Sequence, residues 1–175
     1  MNVERIVLLI LAPGIAAVSI VLALGFAGVR LNIASNSLPS GLYRIVPAAS
    51  GNDLLICPTG IAEKVSIERE YRVESFGCGD GFAPLLKPIA ARAGDTVTVS
   101  EAGVAVNGKL LPNSKQYPKD GVGRLMPLVP FGTYTVNPGT VWVISSYNPF
   151  SFDSRYFGPV RLDEKVKYAK LLWLF

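Results

Sequence analysis

The sequence predicts a mostly β domain behind one apolar N-terminal helix. Three observations carry this. Residues 6–29 hold no charged side chain. Beyond them, short β-branched runs alternate with turn residues for most of the chain. The 13 prolines and 17 glycines among 175 residues leave little room for further long helices.

The elements follow in order. As a helix, residues 6–29 extend about 36 Å, enough for a hydrocarbon core of roughly 30 Å. Pro13 and Gly14 are tolerated in such a span. A removed secretory signal is the alternative, with Gly25-Phe26-Ala27 as its cleavage site. The domains expected are 1–30, a membrane anchor or signal segment, and 31–175, one β-rich domain. Orientation is poorly coded, because Glu4 and Arg5 on one side face Arg30 and Arg44 on the other. Leu54-Leu55-Ile56 reads as a strand, 60–72 as a helix and 85–91 as a further strand. Thr96-Val97-Thr98-Val99 and Val104-Ala105-Val106 alternate, and Asn107-Gly108 turns tightly into Lys109-Leu110-Leu111. Residues 112–130 have no period and read as a long loop, a length that usually serves a purpose. Asn137-Pro138-Gly139 separates Thr133-Tyr134-Thr135-Val136 from Val141-Trp142-Val143-Ile144.

Composition excludes whole classes of chemistry. There is no histidine, so no Ser-His-Asp triad, Cys-His pair or His-ligated metal is available. Two cysteines build neither a four-thiolate zinc site nor an iron–sulfur cluster. No metal and no organic cofactor is expected. Any general base must be Lys, Asp, Glu or Tyr. A net charge of +4 without a basic run gives no footing for nucleic acid. Cys57 and Cys78 read as one disulfide in an exported domain, or as two free thiols in a cytosolic one.

Three segments are rich in reactive groups. Ser35, Ser37 and Ser40 crowd a stretch shaped by Pro39 and Gly41, the kind of rigid turn that presents a serine nucleophile. A plain loop has the same composition. Lys87 is one charge within an apolar strand, and Pro88 beside it implies an edge or a bulge. Its pKa must fall by about three units to make it a base near neutral pH. The alternative is a lysine whose stem lies on the sheet while its head reaches water. Finally, 148–160 sets polar groups between aromatics, with Asp153 and Arg155 spaced for an ion pair that is either buried or a solvated turn.

Taken in order, these segments resemble the Ser-Lys serine peptidases of the signal peptidase I (S26) superfamily, and among them the TraF type of conjugal transfer. The residues that carry the resemblance are Ser37-Leu38-Pro39-Ser40-Gly41-Leu42-Tyr43, then Leu86-Lys87-Pro88 with Ala93-Gly94-Asp95. Asn148-Pro149 with Ser151-Phe152-Asp153-Ser154-Arg155-Tyr156-Phe157-Gly158-Pro159-Val160 completes them. The resemblance implies a signal-peptidase-like domain of coiled β-sheets, with its site near an apolar surface facing the membrane. It makes Ser37 the nucleophile and Lys87 its base. Ser35 and the Ser37 N–H become the oxyanion hole, although Asn36 departs from the glycine common there. Ser151 becomes the residue that orients the lysine, and Asp153 and Arg155 a structural pair. It also implies a periplasmic domain on the bacterial inner membrane, in contact with lipid. The substrate would be a secreted pilin-like precursor or other preprotein, cut after small residues and either released or cyclised. Two readings compete: a general type I signal peptidase, and a non-catalytic membrane-anchored scaffold of a conjugation or secretion apparatus.

Overall fold

A computed structural model describes the backbone of residues 3–33 and 35–175, with side chains from residue 11 onward except residue 34. The apolar run forms α1 (Val3–Phe26). The expectation of a membrane span is corrected here: among the described residues no helix is long and apolar enough to cross a membrane. α1 itself runs 24 residues with Pro13 inside it. Glu4 and Arg5 lie outside the described side chains.

The chain leaves α1 through Gly28 at φ 80° and enters β1 (Val29–Asn32), which pairs antiparallel with β2 (Gly41–Val46). Next come β3 (Asp53–Ile56), α2 (Ile61–Glu68), β4 (Leu85–Ala91), β5 (Thr96–Ser100), β6 (Gly103–Val106) and β7 (Lys109–Leu110). They are followed by β8 (Gly132–Thr135), β9 (Thr140–Val143), α3 (Ser154–Phe157), β10 (Val160–Arg161) and β11 (Lys167–Leu174). The fold is mostly β, as expected. Among the described residues the strands form a seven-stranded sheet ordered β1-β2-β11-β3-β4-β9-β10 and a four-stranded sheet ordered β7-β6-β5-β8.

Local pattern accounts for the small sheet. Val97, Val99 and Val104 point inward from the β5–β6 hairpin and pack with Trp142 and Ile144. Asn107, at φ 49°, and Gly108 make the turn into β7. The α2 helix is shorter than the sequence predicts. It stops at Glu68 because Glu70 adopts φ 57° and the Tyr71 N–H folds back to the Ser66 carbonyl. The 112–130 loop has no strand and is pinned by side chains, with Gln116 Nε2 donating to the carbonyls of Val129 and Arg155.

The large sheet depends on a long-range insertion. β11 lies between β2 and β3, pairing Lys170 with Arg44 and Tyr168 with Leu54. At Gly41 a Cβ would collide with the Trp173 carbonyl, so this glycine serves close strand approach. Pro88 is not at an edge, because β4 is central, between β3 and β9. The accompanying irregularity is a register shift between Ile89 and Ala91.

Candidate active site

The site lies where three sequence-distant segments converge. The first is the loop between β1 and β2. Buried Asn32 holds it as a clamp: its Nδ2 donates to the carbonyls of Leu38 (3.3 Å) and Pro39 (3.0 Å), and its Oδ1 accepts the Ser35 N–H (3.1 Å). The Tyr43 hydroxyl donates to the Pro39 carbonyl from below (2.9 Å). The loop is thereby rigid around Ser37, which is 5% exposed.

The second segment is β4. Lys87 is 3% exposed, and its Nζ donates to Ser37 Oγ at 2.6 Å and to Ser151 Oγ at 3.1 Å. The two serine hydroxyls are 3.0 Å apart. Among the described residues no carboxylate forms an ion pair with Lys87. Burial lowers its pKa to about 8, with Asp153 pulling it upward and Arg155 downward. The solvated-head alternative fails on this burial.

The third segment runs from the end of β9 through α3. Arg155 and Asp153 are fully buried and doubly bonded, Nε to Oδ1 at 2.8 Å and Nη2 to Oδ2 at 2.9 Å. Arg155 spends its other donors on carbonyls of Asn113, Lys115, Pro149 and Ser151. One guanidinium therefore ties the long loop to the segment carrying Ser151. The pair is a buried structural knot rather than a solvated turn.

Ser35 sits beside Ser37. Its Oγ accepts the Ser37 N–H at 3.3 Å, and its hydroxyl reaches the Leu86 carbonyl at 3.5 Å. Both groups expected of an oxyanion hole are thus adjacent. The cysteines are disulfide-bonded, with Cα atoms 5.6 Å apart, and Cys57 lines the cleft. The cleft has a volume of about 740 Å³ and is lined by Leu31, Ile33, Leu85 and Leu86 beside Ser37 and Lys87. Its size falls in the range of ligand pockets. Among the described residues no group of Asp, Glu or Cys is placed to hold a metal ion.

Two functional-looking residues escape sequence reasoning. Asn32 opens the first segment without any signal that its amide would clamp the loop. Ser145 is fully buried, and its hydroxyl donates to the carbonyl of Ser37 at 2.7 Å. Nothing in the sequence near Ser145 points to a residue more than a hundred positions away.

The chain matches the family described as signal peptidase, peptidase S26, over residues 2–174. It is 35% identical over 161 residues to a plasmid transfer protein TraF of Escherichia coli, covering 90% of this chain and 89% of that protein. A second plasmid transfer protein TraF of Escherichia coli is 35% identical over 176 residues, covering 97% of this chain and 98% of the relative. A probable conjugal transfer protein TraF of Sinorhizobium fredii is 39% identical over 155 residues, covering 83% of this chain and 77% of its own length. Among solved structures, a signal peptidase I of Enterococcus faecalis V583 is 20% identical with a TM-score of 0.37, over 73% of this chain and 99% of that chain. This last likeness is too distant to add to the fold.

Proposed function

The chain belongs to the signal peptidase, peptidase S26, family, and from that premise we propose that it is a serine endopeptidase in which Ser37 attacks and Lys87 is the general base. One observation carries this reading: a buried lysine with no ion-pair partner among the described residues, its Nζ 2.6 Å from a buried serine hydroxyl.

The chemistry follows from the geometry. Burial leaves Lys87 with a pKa of about 8, so a usable fraction is neutral near physiological pH. Neutral Nζ takes the Ser37 proton, and the alkoxide adds to a peptide carbonyl. The substrate oxygen takes over the Ser37 N–H that now donates to Ser35 Oγ, and the Ser35 hydroxyl supplies a second donor. One such donor is worth about 3–4 kcal/mol in the transition state. Protonated Lys87 then gives its proton to the leaving amine, and the Ser151 hydroxyl keeps the ammonium aimed throughout. Water releases the acyl group, or an amine of the substrate takes its place and closes a ring.

The substrate we propose is a secreted pilin-like precursor of a conjugation apparatus, cut after small residues. Support comes from relatives named for plasmid and conjugal transfer. The location we propose is the bacterial inner membrane, with the cleft on the periplasmic side. A disulfide suits that compartment. Exposed Leu31, Ile33, Trp173 and Phe175 suit contact with lipid.

The test is co-expression with a candidate pilin precursor, read by intact mass, for wild type, Ser37→Ala and Lys87→Ala at matched expression. Processing by wild type and by neither variant is expected. A product lighter by one water than its linear form identifies ring closure. Equal processing by both variants sinks the assignment of these two residues. No processing of this or any other precursor favours the scaffold.

A further inference from the structure

We propose that Ser145 is a positioning residue for the nucleophile, holding Ser37 by its carbonyl while the Asp153–Arg155 pair holds Ser145. This rests on the reading of Ser37 as nucleophile.

Ser145 lies just past β9 and is wholly out of solvent. A hydroxyl has one hydrogen to give and two lone pairs. The hydrogen goes to the Ser37 carbonyl at 2.7 Å, and the lone pairs accept the N–H groups of Tyr147 (3.2 Å) and Asn148 (3.0 Å). Its own N–H donates to Asp153 Oδ2 at 3.0 Å. Arg155 binds that same oxygen and donates to the Ser151 carbonyl at 3.0 Å. Ser151 Oγ meets Ser37 Oγ at 3.0 Å. The bonds therefore close a circuit from Ser37 through Ser145, Asp153, Arg155 and Ser151 back to Ser37.

Each member has a distinct task. Ser151 and Lys87 grip the nucleophile by its side chain, whereas Ser145 grips its backbone. Fixing the Ser37 carbonyl restrains ψ at that residue and so the placement of Cα and Cβ, from which the bonds to Lys87 and Ser151 aim Oγ. Asp153 and Arg155 make no hydrogen bond to Ser37 themselves; Ser145 carries their rigidity to its backbone, as Ser151 carries it to its side chain. A displacement of about 1 Å at a reacting atom costs roughly 10²-fold in rate, so one internal hydroxyl matters far beyond its own bond.

The experiment compares wild type, Ser145→Ala and Ser145→Cys on a fluorescence-quenched peptide with alanine before the scissile bond. It is paired with melting curves and hydrogen–deuterium exchange of the 35–40 segment. Ser145→Ala is expected to lower kcat about 30- to 100-fold with KM within about twofold. Its pH–rate midpoint should not move, because nothing bonded to Lys87 Nζ changes. The 35–40 segment is expected to exchange several-fold faster while β5 and β6 exchange as before. Ser145→Cys keeps a weaker donor in similar volume, and its kcat should fall between the two. The proposal is overturned by an unchanged kcat, by 35–40 exchange equal to wild type, or by losses that track melting temperature rather than the donor. Should wild type leave the peptide uncut, the precursor co-expression test decides the peptidase reading, and the exchange comparison alone decides the role of Ser145.

Discussion

The four-stranded sheet and the polar edge that holds Ser37 and Lys87 are built on opposite principles. In the small sheet, β5 and β6 are neighbours in sequence, their inward residues are valines, and the turn chemistry fixes the register. At the edge around Ser37 and Lys87 the interior is polar. Ser37, Lys87, Ser145, Ser151, Asp153 and Arg155 are all buried, and the hydrogen bonds among them join segments far apart in sequence. An apolar core tolerates modest volume change, whereas a polar one fails when a single partner is removed. The two regions should therefore respond differently to mutation.

The largest effect is expected at Lys87. Lys87→Met should abolish cleavage, a fall on the order of 10⁴-fold or more in kcat. It should also change how stability depends on pH. In wild type the buried lysine has a folded pKa of about 8, against 10.5 for a lysine surrounded by water. The unfolded chain thus binds the extra proton between those values, and wild-type stability rises as pH climbs from about 8 to 10.5. Chemical denaturation across that window should show the rise in wild type and its absence in Lys87→Met. For cleavage, the wild-type rate should climb with pH through about 8 as Nζ loses its proton.

Next comes Arg155→Met, which strands the Asp153 carboxylate without its cation. Removing one partner of a buried pair typically costs about 3–5 kcal/mol, and a lowered denaturation midpoint should report it. If this variant were as stable as wild type, the polar knot would not be what holds the edge together. In the small sheet, Val99→Ala should cost about 2 kcal/mol from lost burial and a residual cavity, with kcat unchanged in the folded fraction. A large kcat loss there would couple the two regions and erase the contrast. The smallest effect belongs to the exposed Lys64–Glu68 pair at 3.8 Å. Lys64→Ala should shift stability by less than about 0.5 kcal/mol.

The same contrast explains what the sequence makes legible. The β5–β6–β7 hairpins, the 112–130 loop and the strands around Leu54 and Trp142 can be read because pattern and turn are local. Ser37, Lys87, Ser151, Asp153 and Arg155 can be singled out only as members of a motif set, since no periodicity says that positions 37, 87 and 151 meet. β1, β2 and β11 carry no clean alternation. They are strands because they pair with each other and with β3, and that information lies in tertiary packing. Asn32 and Ser145 are hidden for a related reason. Each is one polar residue whose meaning is the carbonyl it reaches.

The insertion of β11 between β2 and β3 also sets a timetable. A ribosome adding about 5–20 residues per second makes the loop bearing Ser37 on the order of ten seconds before the strand that will brace β2 beside it. Until then β2 has only β1 as a neighbour, and the sheet is open along the flank where β11 belongs. The chain thus comes off the ribosome with Ser37 written early and the strand that braces β2 completed late. A nascent chain of this kind cannot close the hydrogen bonds around Ser37 until Ser145 and Ser151 are made.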